Sequence, residues 1–296
     1  MTSNNQHLTV SRFPGVLHAL ILALVLSLGA APALAQNGDK AAKMEELKSS
    51  YAGFQKAAKS DDYETAYSQL ETAISLAEEL EQSNALGQLR QFQQNLPTKW
   101  GNTALENENY QQALFHFNHG VDYSSQDAYV YYGKGLALVN MDSTSAGLDA
   151  MREAISVGEN TGNTRVVEIA TERIRDEFVS RASQALSKQN PSESDANTAL
   201  EALDTMRQYV DPSAKSLFYR SSALFAKGQY QQAISTAEEG LSMHQGSRSD
   251  AAKYYFIIGE SQFRLGDTAT ACQTFQDAAF GDYKARAEHY LENECQ

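Results

Sequence analysis

The apolar positions of this chain recur three and four residues apart along almost its whole length. Tyr110, Ala113 and Phe117 form one such stripe, and Val166, Ala170, Ile174, Phe178, Ala182 and Leu186 form another. This spacing lines side chains along one face of an α-helix. No alternating run bounded by turns suggests a strand. The second stripe continues without a break and predicts an unusually long helix near residues 164–188, followed by a loop at 189–195. Leu86, Leu89, Phe92 and Leu96 predict an extra or extended helix, with Pro97 and Pro191 marking helix starts.

The helices also repeat. The small residues Ala66, Ala113, Gly147, Ala199, Ala233 and Ala271 lie 47, 34, 52, 34 and 38 positions apart. Around Ala113 the frame is Gly101, Tyr110, Phe117 and Gly120, and it returns 34 residues later as Gly135, Thr144, Met151 and Ala154. Near the C-terminus it reads Tyr230, Ala237 and Gly240, then Gly259, Thr268, Phe275 and Ala278. A small residue such as Gly135 lets a paired helix approach closely, while the Ala-x-x-x-Phe face fills the gap to the next pair. One pair alone buries too little surface, so stacking makes the core.

These residues resemble the tetratricopeptide repeat, whose mark is a small residue in the first helix and Ala-x-x-x-Phe in the second. The resemblance spans roughly residues 45–280 by the 34-residue period. It implies an all-α, right-handed superhelical solenoid of about six helical hairpins. A short helix at 283–293, after the Phe280-Gly281-Asp282 turn, is expected to cap the last hairpin. The prolines that usually end family units are mostly missing, with only Pro212 near such a place.

The N-terminus changes the picture of where the solenoid works. Arg12 precedes an apolar run from Val16 to Leu28, and Ala33-Leu34-Ala35 places small residues where a signal peptidase reads them. Residues 1–35 therefore read as a secretory signal, 36–44 as a flexible segment and 45–296 as the repeat domain. The expected location is the bacterial periplasm or cell envelope, in soluble form without stable membrane insertion. Arg12 is the only charged side chain in the signal, so its removal shifts the net charge from −13 to −14. Such acidity argues against nucleic acid or an anionic membrane as partner. Cys272 and Cys295, in an exported chain and 23 residues apart, are expected to form a disulfide.

Candidate chemistry is sparse. His116 and His119 share a helix at i and i+3 but lack a third ligand, so they read as solvent-facing and no metal is expected. No phosphate-binding glycine loop, nucleophile elbow or zinc-protease motif is present, and neither enzyme activity nor a cofactor is expected. In the family the first helices line a concave face where partners dock. In this frame that face holds Asn102, Tyr129, Tyr132, Leu136, Asn140, Phe218, Ser222, Phe256, Glu260 and Phe263. Aromatic and amide groups of this kind suit an extended peptide or a helix, although the frame equally allows half of the aromatics to pack between helices. Only Asn102 resembles the Lys/Asn clamp with which some members grip a terminal carboxylate. The expected function is a non-catalytic protein-interaction scaffold or adaptor with a protein or peptide partner. A binder of small ligands or glycans is the alternative.

Overall fold

A computed structural model describes residues 37–188 and 190–295, so the signal-like segment lies outside the described residues. The chain is an all-α solenoid of consecutive helical hairpins, and the described residues form two compact units that divide between Leu96 and Pro97.

In the first unit, α1 (Asn37–Lys59) pairs with α2 (Tyr63–Glu79). Helix α1 therefore begins inside the segment expected to be flexible. Lys43 reaches Glu79 at 2.5 Å, and the Phe54 ring meets Phe92 at 5.7 Å. Helix α3 (Ser83–Glu106) starts in this unit and ends in the second. It is the extended helix predicted from Leu86 to Leu96, but Pro97 lies inside it and does not start a new one. The apolar stripe through Leu89, Leu96 and Ala104 is buried on both sides of the proline. That burial offsets the one backbone hydrogen bond a proline removes.

The second unit continues with α4 (Tyr110–Tyr123), α5 (Ala128–Asn140), α6 (Thr144–Thr161), α7 (Thr164–Ala185) and α8 (Glu193–Met206). Then follow α9 (Ala214–Ala226), α10 (Tyr230–Ser242), α11 (Arg248–Arg264) and α12 (Thr268–Ala278). A short 3-10 turn (Gly281–Tyr283) leads into the capping helix α13 (Lys284–Asn293). Helix α7 is the long helix predicted from the Val166–Ala182 stripe, and Val166, Ala170, Ile174, Phe178 and Ala182 are all buried.

The turns inside most hairpins share one construction: a left-handed residue, then the N-cap of the second helix. Asp142 (φ 58°) precedes Ser143, Gly228 (φ 73°) precedes Gln229, and Gly266 (φ 87°) precedes Asp267. Such tight turns set the helices side by side, and the small residues of the repeat then decide how close they come. A Cβ on Gly135 would lie 2.9 Å from the backbone oxygen of Gly147 and 2.6 Å from the Met151 side chain. The Phe117 ring occupies the space that a Cβ on Gly101 or Gly133 would need, 2.7 and 2.3 Å away.

Beyond its own hairpin, each first helix from α5 onward touches the next first helix, α5 with α7, α7 with α9 and α9 with α11. The first helices of the second unit thus form the closely spaced, inner row of the stack.

Candidate partner-binding face

On α5 the predicted residues Tyr132, Leu136 and Asn140 follow one another at i, i+4 and i+8. Tyr132 and Leu136 are half-buried against the core built by Val166, Ala170 and Met151. Burial raises the Tyr132 hydroxyl above its usual pKa, while Arg173 and Arg165 of α7 pull it back. Tyr132 therefore faces the charged flank of the next first helix. Asn140 is exposed, but its amide donates 2.8 Å to the Leu136 carbonyl of its own helix. Tyr129 is 43% exposed, with its backbone N–H capped by Asp127. Asn102 is exposed on α3.

Phe218, half-buried on α9, reaches α11: its ring meets Tyr254 edge-on at 5.8 Å, and the Lys253 ammonium lies 5.2 Å from its centre. Beside it, Tyr219 is also half-buried. The Ser222 hydroxyl donates to the Phe218 carbonyl at 2.9 Å.

Three predicted docking residues are part of the cap. Phe256 is wholly buried, with Phe275, Tyr283 and Tyr290 around it and the Arg286 guanidinium 4.1 Å above its ring. The repeat frame places it on the first-helix face, and α13 covers that face at the last hairpin. Glu260 is held under the same helix, accepting from the Tyr290 hydroxyl at 3.1 Å and lying 3.7 Å from Arg286. Burial pushes its carboxyl up, against the opposing pull of Arg286 and the Tyr290 hydrogen bond. Phe263 meets Tyr290 at 5.4 Å. Phe256, Glu260 and Phe263 thus seat the cap. The chain also joins Cys272 on α12 to Cys295 just beyond α13, with Cα atoms 5.6 Å apart.

The histidine pair also differs from its solvent-facing reading. His116 is only 1% exposed and meets Trp100 at 5.6 Å. Burial, then the charge of His119, lowers its pKa to about 4. Among the described residues no group of three or more His, Cys, Asp or Glu side chains could hold a metal ion. None of the described helices is long and apolar enough to cross a membrane.

Residues 220–288, from α9 into α13, match the tetratricopeptide repeat family. Over those residues the chain is similar to tetratricopeptide repeat proteins. Its repeats share 12% identity with a solved tetratricopeptide repeat protein from Parabacteroides merdae ATCC 43184. That alignment covers 88% of this chain and 100% of the other, with a TM-score of 0.34. They share 14% with the MamA protein, over 84% of this chain and 96% of that one, with a TM-score of 0.24. No curated protein matches the sequence.

The inner row also presents residues that the aromatic pattern alone did not pick out: Arg165 and Arg173 on α7, Lys215 and Tyr219 on α9, and Lys253 on α11. Lys215 lies 3.2 Å from Asp176 of α7, so it bridges successive first helices. The legible signal was the placement of lysine and arginine in the repeat frame.

Proposed function

We propose that this protein is an exported, non-catalytic interaction module of the bacterial cell envelope, and that partner proteins dock on the first helices of its second unit. The similarity of residues 220–288 to a repeat family of interaction scaffolds supports the binding role. The observation that carries the docking face is the row of half-buried aromatics, Tyr132, Phe218 and Tyr219, along the closely spaced first helices. The Arg12, apolar-run and Ala-x-Ala pattern supports export. A Cys272–Cys295 disulfide fits an oxidising compartment.

The test is site-specific photocrosslinking in the native envelope, with the reactive group at position 132 or 219, or at Glu153 on α6. Discrete adducts at 132 and 219 and none at 153 are the expected result. Adducts at 153 alone would move docking to the second helices, and their absence from all three sites would remove the scaffold reading.

One observation favours a second reading, a glycan or small-ligand binder. An open cleft of about 530 Å³ between α7 and α8 is lined by Phe178, Arg181, Gln184, Thr198 and Glu201. A thermal-shift screen with cell-wall fragments separates the two, because a bound ligand raises the melting temperature by mass action.

A further inference from the structure

Charge is distributed unevenly between the two rows of helices in the second unit. The second helices α4, α8, α10 and α12 contain eight carboxylates and no lysine or arginine. The first helices α5 and α9 contain three cations, Lys134, Lys215 and Arg220, and no carboxylate. Helix α11 has three cations to two carboxylates, and α7 has four of each. The net charge of −13 therefore hides a chain whose acidity lies on the second helices and whose inner row is neutral to positive.

The cations of that row lie close together. Arg173 acts on Tyr132 across the α5–α7 boundary. Lys215 bridges to Asp176 while remaining exposed. On α11, Lys253 is placed against the Phe218 and Tyr254 rings, each 5.2 Å from its ammonium. Burial lowers the Lys253 pKa; Asp250 raises it and Lys215 lowers it further, so the two lysines repel one another across the α9–α11 boundary. The carboxylates of this row are largely engaged: Asp176 by Lys215, Glu177 by Arg181 and more distantly by Arg173 at 3.9 Å, Glu168 by Arg165, and Asp250 by the Ser247 hydroxyl and backbone at the start of α11. Glu172 remains as a counter-charge near Tyr132.

The acidic row cancels part of this field directly, Arg220 pairing with Asp204 of α8 and Arg248 with Asp277 of α12. Beyond such pairs its reach is short: packed helices stand about 8–10 Å apart, and at physiological salt exposed charges are screened beyond about 8 Å. Near Arg173, Lys215 and Lys253 a ligand therefore senses mainly the charge of the first helices.

We propose that the inner row binds an acidic, extended segment of a partner protein, whose side-chain carboxylates meet Arg173, Lys215 and Lys253 while its apolar residues rest on Tyr132 and Tyr219. This rests on the binding role proposed above and names the chemistry of the partner. The spacing sets the register. An extended chain advances about 3.3 Å per residue, so every third residue matches the spacing of about 8–10 Å between first helices. The recognised pattern is an acidic residue at every third position.

The probe is a fluorescent synthetic peptide with glutamate at every third position, separated by serine, glycine and one tyrosine. Two controls accompany it: the same composition with clustered glutamates, and a version with lysine in place of glutamate. The spaced glutamate peptide is expected to bind most tightly, and its affinity to fall with added salt. The combined reversal Arg173→Glu, Lys215→Glu and Lys253→Glu should weaken it at least about tenfold. Neutralisation to Gln at the same sites should give a smaller loss, and Glu201→Lys with Glu238→Lys on the second helices should give none. Circular dichroism melts of each variant check that these surface changes leave the helices folded. Equal binding of the lysine peptide, no binding of any peptide, or indifference to the triple reversal overturns the proposal. So does a sedimenting oligomer that excludes the peptide, because the acidic row of a second copy would then occupy the face. Photocrosslinks at position 132 distinguish the failures. If they persist without any acidic preference, only the partner chemistry is wrong, and if they are absent the docking face itself fails.

Discussion

The neighbouring hairpins α5–α6 and α7–α8 begin from the same periodic pattern and close in opposite ways. In the first, three residues, Met141 to Ser143, connect the helices, and Gly135 faces Gly147 with no room for a side chain between them. In the second, the connection runs from Leu186 to Ser192, α7 extends over 22 residues, and α8 contains no glycine. The result is a cleft of about 530 Å³ floored by Phe178 and Ala185. A short turn and a glycine pair thus force contact. A long helix with a longer connection leaves a gap, although the buried stripe of Val179, Ala182, Ala199 and Leu203 still holds the pair together.

The strongest way to break this comparison is to fill the tight crossing. Gly135→Ala should cost about 2 kcal/mol, because overpacking against the Gly147 backbone at the upper end of its usual range, about 3 kcal/mol, outweighs the gain of about 1 kcal/mol in helix propensity. A urea titration of the variant against the parent reads the loss. The caps differ next. The Ser192 side chain receives the Asp195 N–H in a full capping box, whereas Ser143 makes no side-chain cap bond. Ser192→Ala should cost about 1 kcal/mol, and Ser143→Ala should leave the melting temperature almost unchanged.

Acid sharpens the same contrast. Hydrogen bonds from Lys188, then Ser192, lower the Asp195 carboxyl from 3.8 to about 2. A depressed carboxylate stabilises the fold fully above its unfolded pKa and loses that contribution as pH falls from about 4 towards 2. Hydrogen exchange should therefore show the start of α8 opening in that window before α6 does, and Asp195→Asn should abolish the dependence. The smallest effect belongs to the cleft. Ala185→Leu adds bulk where space exists and should change stability by no more than about 0.5 kcal/mol. A clear loss in thermal melts would mean that the hairpin is packed as tightly as its neighbour.

Much of this architecture could be read from spacing alone. The interval of 34 between Ala113 and Gly147 fixed the tight hairpins, and the unbroken stripe from Val166 to Ala182 fixed the long α7. Pro97 misled because proline signals a helix start only when no buried stripe carries the helix past it, as Leu96 and Ala104 do here. Phe256 misled for another reason. The repeat frame gives its side of the helix, but only the fold shows that α13 returns over that side. His116 likewise pointed inward because its partner Trp100 lies one helix earlier, outside any local pattern. The cationic inner row was visible residue by residue, yet net charge concealed it until the helices were sorted into rows.

The capping helix bears on how such a chain can lengthen over time. Tyr290 stacks on Phe275 at 4.4 Å, in the place where another hairpin would pack. Gene duplication can therefore add repeats only upstream of α13. A copy appended after Cys295 would find its docking surface already taken, so the array has an end written into its packing and grows, if it grows, from within.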